Sequence, residues 1–208
     1  MGTRGLLGWI NSAGNVTASY NHFDSYPDGL GSALQLQLTE APDNWYPSEG
    51  IRWVEQDGTP EPSDLEWAKK HGIVPADVST GKDWYALMRE TQGRMDKWVE
   101  LKLALDGSGF EQDSLFCEWG YLLDERSHEV VVIRGFNTTG SAEAPYCVTD
   151  RTDPSFTARL KRNGYAYYGC SEAWRGSPAE FLALDMESFY ERISSEERGA
   201  EEESEREA

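Results

Sequence analysis

Between Tyr20 and Gly31 the chain places Tyr20, His22, Asp24, Tyr26 and Asp28 at alternate positions and then supplies Gly29 and Gly31. A histidine and a carboxylate two residues apart on an extended strand share a face. They could ligate a metal together or form a general-base dyad. With three histidines in 208 residues, either chemistry would need a further carboxylate, Asp28 or Glu118. A ligand-binding role needs less: a glycine-bounded loop and side chains that converge on one guest. A purely structural role needs least. In that case His22 bonds a main-chain carbonyl and Asp24 caps the Tyr-Pro-x-Gly turn through its side chain.

Other chemistries fail on their residue requirements. Gly29-x-Gly31 lacks the third glycine and the lysine of a phosphate loop. No Gly-x-Ser-x-Gly elbow occurs, and no histidine stands at a suggestive spacing from a cysteine. Removal of Met1 would expose Gly2, which carries no nucleophile. The candidate ligand-binding set is therefore Arg4, Tyr20, His22, Asp24, Tyr26, Gly29, Gly31 and Glu118. No metal and no cofactor is expected. Trp45, Tyr46 and Trp53, in a proline-rich connection, read either as walls of a flat-ligand site or as the cover of the core, with Arg4 or Arg52 available to an anion.

These residues must be positioned by elements that the pattern also predicts. Residues 3–10 read as a strand, 11–15 as a turn and Val16 to Phe23 as the returning strand, with Tyr20, His22 and Asp24 on one face. Ser32 to Leu38 alternates apolar and polar like a strand but follows a glycine loop, where a helix fits almost as well. Residues 40–62 read as irregular. A short helix is expected from Ser63 to His71, capped by Ser63 with Glu66. A longer one is expected from about Thr80 to Gln92, and Met95 to Leu105 could be either. The runs Leu115–Leu123 and Glu129–Ile133 flank a polar turn and predict a hairpin. Ser177-Pro178-Ala179-Glu180 opens a helix with the stripe Leu182, Met186, Phe189 and Ile193. Glu196 onward, with seven acids against two arginines, reads as a solvated tail. The expected fold is α+β: one domain over residues 1–195, a mainly antiparallel sheet with several helices packed on it, and an acidic disordered tail over 196–208.

Thirty-seven acidic against nineteen basic residues give a net charge of −18. That balance argues against direct nucleic-acid binding and against docking on anionic membranes. A partner with a basic surface, or mimicry of nucleic acid, would suit it. Cys117, Cys147 and Cys170 form no metal or disulfide pattern and fit reduced thiols in a cytoplasm. No apolar run is long enough to span a membrane or to make a signal sequence.

Two segments resemble a group of uncharacterised phage and bacterial proteins. Those open with a Met-Gly-Thr-Arg strand and carry a His/Gln-Trp-Asp-Gly-Tyr-Pro-x-Gly-x-Gly signature, matched here by His22-x-Asp24-x-Tyr26-Pro27-x-Gly29-x-Gly31. Phe23 replaces the tryptophan and Ser25 the glycine. A Glu-Trp-Ala-Tyr-x-x-Asp strand, their second landmark, is similar to Glu118-Trp119-Gly120-Tyr121-Leu122-Leu123-Asp124. The resemblance implies phage or prophage origin and no mechanism. With the residues and the charge, the expected function is that of an accessory protein, for instance in counter-defence, that binds a host protein or a small ligand in the cytoplasm; a hydrolase built on the His22/Asp24 loop and an acidic nucleic-acid mimic are the alternatives.

Overall fold

Strand β1 (Gly5–Ile10) is hydrogen-bonded along both edges. On one side it pairs antiparallel with β2 (Val16–Asn21), and on the other it runs parallel to β5 (Trp119–Asp124). The computed structural model describes residues 2–40, 50–73, 83–138, 161–162 and 165–195. Its main sheet has the order β2-β1-β5-β6-β9, where β6 is Glu129–Arg134 and β9 is Ser171–Gly176. All neighbours except β1 and β5 are antiparallel. A second, parallel pair joins β3 (Arg52–Glu55) to β4 (Leu103–Asp106), and β7 (Lys161–Arg162) pairs with β8 (Tyr165–Ala166). The architecture is α+β in a single domain, as the pattern predicts.

Both faces of the central strands are buried. This explains why their sequences read as continuous apolar runs rather than clean alternation. Leu7 and Trp9 of β1, Tyr121 and Leu123 of β5, and Val130 and Val132 of β6 enter one core with the helices. Leu6, Ile10, Leu122, Val131 and Ile133 fill the other face with Cys117, Cys170 and Phe110. Each such side chain contributes about 1.5–3 kcal/mol by leaving water. The thiols of Cys117 and Cys170 are free and buried, and burial pushes the Cys117 thiol well up. Cys147 lies outside the described residues.

Several local expectations are corrected. Strand β2 stops at Asn21, not Phe23. Ser32–Glu40 is a helix, α1, because Leu34 and Leu38 are buried one turn apart while Leu36 points to solvent. Its glutamines tie it down: Gln35 donates to the carbonyls of Phe181 and Leu184, and Gln37 to that of Gly93. Strand β3 lies within the stretch expected to be irregular. Helix α2 (Pro62–Lys70) is capped by Glu61 with Asp64, two positions before the expected box. Helix α3 (Trp84–Met88) starts at Asp83, whose carboxylate accepts from the Ala86 N–H, and a tight turn Arg89–Thr91 follows it. Helix α4 (Met95–Leu101) ends at Lys102 in the left-handed region and passes directly into β4.

The C-terminal helix predicted from Ser177 is two helices, α5 (Pro178–Leu182) and α6 (186–195). The Ser177/Glu180 capping box is present. Asp185 then accepts from the Ser188 N–H and opens the second helix as its own cap. Phe181, not Leu182, takes the buried place on the stripe with Met186, Phe189 and Ile193. Thr80, Trp45, Tyr46 and the acidic tail lie outside the described residues. Among the described residues no helix is long and apolar enough to cross a membrane.

Polar atoms close the far end of the sheet. The buried Asp124 carboxylate accepts from Arg126 and Arg175, and Arg175 also pairs with Glu129 and Glu172. Burial alone would raise the Asp124 carboxyl, but the hydrogen bonds from Arg126 and Arg175 outweigh it and hold it at about 2. A carboxyl depressed below its unfolded value of about 3.9 contributes stability that is complete above that value and lost as pH falls toward the folded one. Thermal melts between pH 7 and pH 2 should therefore steepen in their loss of Tm below about pH 4. Asp124→Asn should lower Tm at pH 7 and flatten that acid limb.

Candidate functional site

The end of β2 and the loop after it divide the candidate residues into two groups. Tyr20 and His22 project together: the Tyr20 hydroxyl meets His22 Nδ1 at 2.7 Å. A phenol is the better donor and imidazole the better acceptor, so the O–H donates and the proton of the neutral ring sits on Nε2. The His22 ring stands edge-on to Phe23, centroids 4.3 Å apart, and Tyr85 of α3 borders both Tyr20 and His22. Burial, then Arg89, then Arg4 lower the His22 pKa, so the ring is neutral at pH 7. Burial and Tyr85 raise the Tyr20 hydroxyl, which stays protonated.

Arg4 and Glu118 come together through the parallel pairing of β1 and β5. The Arg4 N–H donates to Glu118 Oε1 at 3.3 Å, the Glu118 N–H donates to the Arg4 carbonyl at 2.9 Å, and the Arg4 guanidinium lies 5.4 Å over the Phe116 ring.

Asp24 does not join His22. At φ +51° it turns the chain out of the extended line, and no hydrogen bond links the two among the described residues. Its carboxylate is exposed. The turn is closed instead by its main-chain carbonyl, which accepts from the Leu30 N–H at 2.8 Å. The shared face expected from alternation is lost because the alternation stops at Asn21. Among the described residues no group of three or more histidine, cysteine or carboxylate side chains is arranged to hold a metal.

Tyr26, Gly29 and Gly31 belong to the second group, which faces the helices. Residues Pro27–Gly31 form a single wide helical turn that runs without a break into α1. The Tyr26 ring packs on Tyr190, and its carbonyl accepts from the N–H groups of Gly29 and Gly31. A Cβ on Gly29 would sit 2.2 Å from the Asp24 carbonyl oxygen, and one on Gly31 would press on Tyr121 and Met186. These glycines permit close approach of chain to chain; neither faces an open cavity. The loop is locked from below by Asn21, whose amide donates to Ser25 Oγ and the Phe23 carbonyl, and by the Tyr121 hydroxyl, which donates to the Ser25 carbonyl.

Comparison with protein-family models, curated proteins and solved structures found no match. The site is therefore read from its own geometry.

An open cavity of about 470 Å³ lies beside the His22 group, lined by Asn21, Phe23, Arg89, Glu90 and Gln92. Phe23 is 49% exposed, with the Arg89 guanidinium 5.6 Å from its ring centroid. Gln92 receives the His22 N–H on Oε1 at 3.1 Å. The turn that carries Arg89, Glu90 and Gln92 is held by Thr91, whose hydroxyl donates to the Met88 carbonyl and whose carbonyl accepts from Trp98 Nε1. Sequence reasoning missed Arg89, Glu90 and Gln92 because seventy residues separate His22 from Gln92 and no local pattern marks the contact. Arg52, offered as an anion receptor, instead pairs with Asp64 and lies over Trp84. Trp53 packs edge-on against Trp9 as part of the core cover.

Two outcomes follow from this geometry. Gly29→Ala should cost on the order of 2–3 kcal/mol in a denaturant melt, because its clash is with main chain that cannot move aside. In a proton NMR titration the His22 ring should show a midpoint below 6.5, and Arg89→Gln should move that midpoint upward.

Proposed function

We propose that the protein acts by binding, and that a flat apolar group of a small ligand docks on Phe23 in the cavity between the end of β2 and the Arg89–Gln92 turn. The observation that carries this reading is the presentation of Phe23. A large ring is left half exposed on the wall of an open cavity, with His22 at a steep angle to it and the Arg89 guanidinium 5.6 Å from its centroid. Its neighbours are neutral His22 and a fixed amide, a wall suited to orienting a guest.

The hydrolase alternative draws no support from this arrangement, since His22 meets the Tyr20 phenol and not Asp24. The mimic alternative rests on net charge alone. The resemblance to phage and bacterial proteins favours an accessory protein whose guest belongs to the host. A second reading, docking of a host protein, is favoured by Phe116 and Phe136. Both are substantially exposed at the same end of the sheet, and Arg4 covers Phe116.

Soluble aromatic compounds titrated against isotope-labelled protein should move amide signals of residues 21–23 and 89–92. Phe23→Ala should abolish those shifts while keeping the melting temperature, because the ring is half exposed. Phe116→Ala and Phe136→Ala should leave them intact. Shifts that survive Phe23→Ala would overturn the ligand reading, and shifts centred on Phe116 and Phe136 would favour the protein-docking one.

A further inference from the structure

The His22 ring ends in a donor that docking on Phe23 leaves unused. Its Nδ1 accepts the Tyr20 hydroxyl, so the ring proton sits on Nε2, at the opposite edge of the imidazole. That N–H meets no acceptor among the described residues. It is also open to solvent, unlike the Trp9 indole and the Gln92 amide, whose unpartnered nitrogens are closed in.

Two elements bring a guanidinium to this ring. The ladder that sets Leu6 opposite Tyr20 and Gly5 opposite Asn21 leads, one step on, to Arg4 opposite His22, and residues so paired share a face. From the other side Tyr85 of α3 borders the His22 ring at 6.3 Å, and Arg89 follows it by four residues, about one turn. Neither arginine pairs with a carboxylate among the described residues: Arg4 lies 5.4 Å over Phe116 and Arg89 5.6 Å over Phe23. An aromatic ring holds a guanidinium in place without cancelling its charge. After burial, the influences on His22 are these two cations. Of the acids nearby, Glu118 turns Oε1 to the Arg4 main-chain N–H, Asp24 is exposed and Glu90 lines the cavity.

Donors from β1, the end of β2 and the turn after α3 thus stand around one ring, with two positive charges. A carboxylate is planar and has two oxygens. A tetrahedral oxyanion offers at least three, in different directions, and its two charges match two guanidinium groups. We propose that Arg4, His22 and Arg89 form an anion site for a phosphate group, free or at the end of a small ligand, with Nε2–H and the two guanidinium groups each meeting an oxygen. The site needs no aromatic guest on Phe23 and stands apart from that reading. A bound dianion favours the imidazolium, and a proton added to Nδ1 then donates to the Tyr20 oxygen, so the pair keeps its hydrogen bond with the direction reversed.

Proton NMR of the histidine rings in the full chain, titrated with sulfate, inorganic phosphate and phenyl phosphate against chloride at equal ionic strength, tests this. Sulfate keeps its two charges over the whole pH range and so reads the site without titrating itself. It should raise the His22 midpoint by about one unit, the effect of one opposite charge nearby, and leave His71 and His128 unmoved. The bound form then holds more protons than the free one, so sulfate should bind more tightly at pH 5 than at pH 8. Competition by inorganic phosphate assigns the site to the free anion, and competition by phenyl phosphate alone assigns it to an ester. Arg4→Gln and Arg89→Gln should each weaken sulfate on the order of tenfold, as loss of one charge-assisted contact implies. A shift shared equally by all three histidines, or one unchanged in both variants, would overturn the site. So would a His22 midpoint that none of the three anions moves. Circular dichroism melts separate lost affinity from lost fold, and a variant that melts early is replaced by Arg4→Lys or Arg89→Lys, which keeps the charge and should retain part of the shift.

Discussion

The parallel ladder between β1 and β5 is the constraint on which the remaining structure depends. It joins residues more than a hundred positions apart, and a parallel pair cannot be made by a tight turn. The ladder places β1 in the interior of the sheet, so Leu6 and Ile10 must be buried on one face and Leu7 and Trp9 on the other. Its register sets Gly5 opposite Trp119. The same register brings the Arg4 backbone to Glu118, and it carries Thr3 to Ser25, whose N–H donates to the Thr3 carbonyl. The loop at residues 22–26 is thus pinned to the start of the sheet by a main-chain bond that involves no helix.

From there the helices follow as a second layer. The wide turn Pro27–Gly31 feeds α1 onto the sheet face occupied by Tyr121, and α6 completes that core through Met186, Phe189 and Tyr190. Helix α4 brings Trp98 against Trp9 and, through its indole N–H on the Thr91 carbonyl, fixes the turn bearing Arg89 and Gln92. Cavity and core therefore share one support: the same tryptophan that fills the interior also sets the position of the cavity wall.

What could be read from the sequence follows from how local each cause is. The β5–β6 hairpin is legible because β-branched and apolar residues flank a polar turn of a few residues. The capping box at Ser177 is legible because its two hydrogen bonds are made within four residues. Alternation misled at Leu34, Leu36 and Leu38, where burial of the first and last is a helical pair and the middle residue is exposed. It misled again at Asp24, where a left-handed residue breaks the face that periodicity would continue. Tyr20 and His22 were recognisable as a pair because β2 carries them two positions apart. Their partners Tyr85, Arg89 and Gln92 arrive from a separate helix and turn, and no spacing rule relates the two segments.

The parallel sense of β1 and β5 also governs how the molecule bears load. In a parallel pair the start of one strand and the end of the other lie at opposite ends of the ladder. Tension drawn between residue 2 and residue 124 therefore runs along the strands and loads all their rungs together, rather than parting them one at a time. Because β1 is bonded on its other edge to β2 as well, a pull on its leading end must slide it past two neighbours at once. The strand that anchors the binding loop is held by shear, the direction in which a sheet yields last.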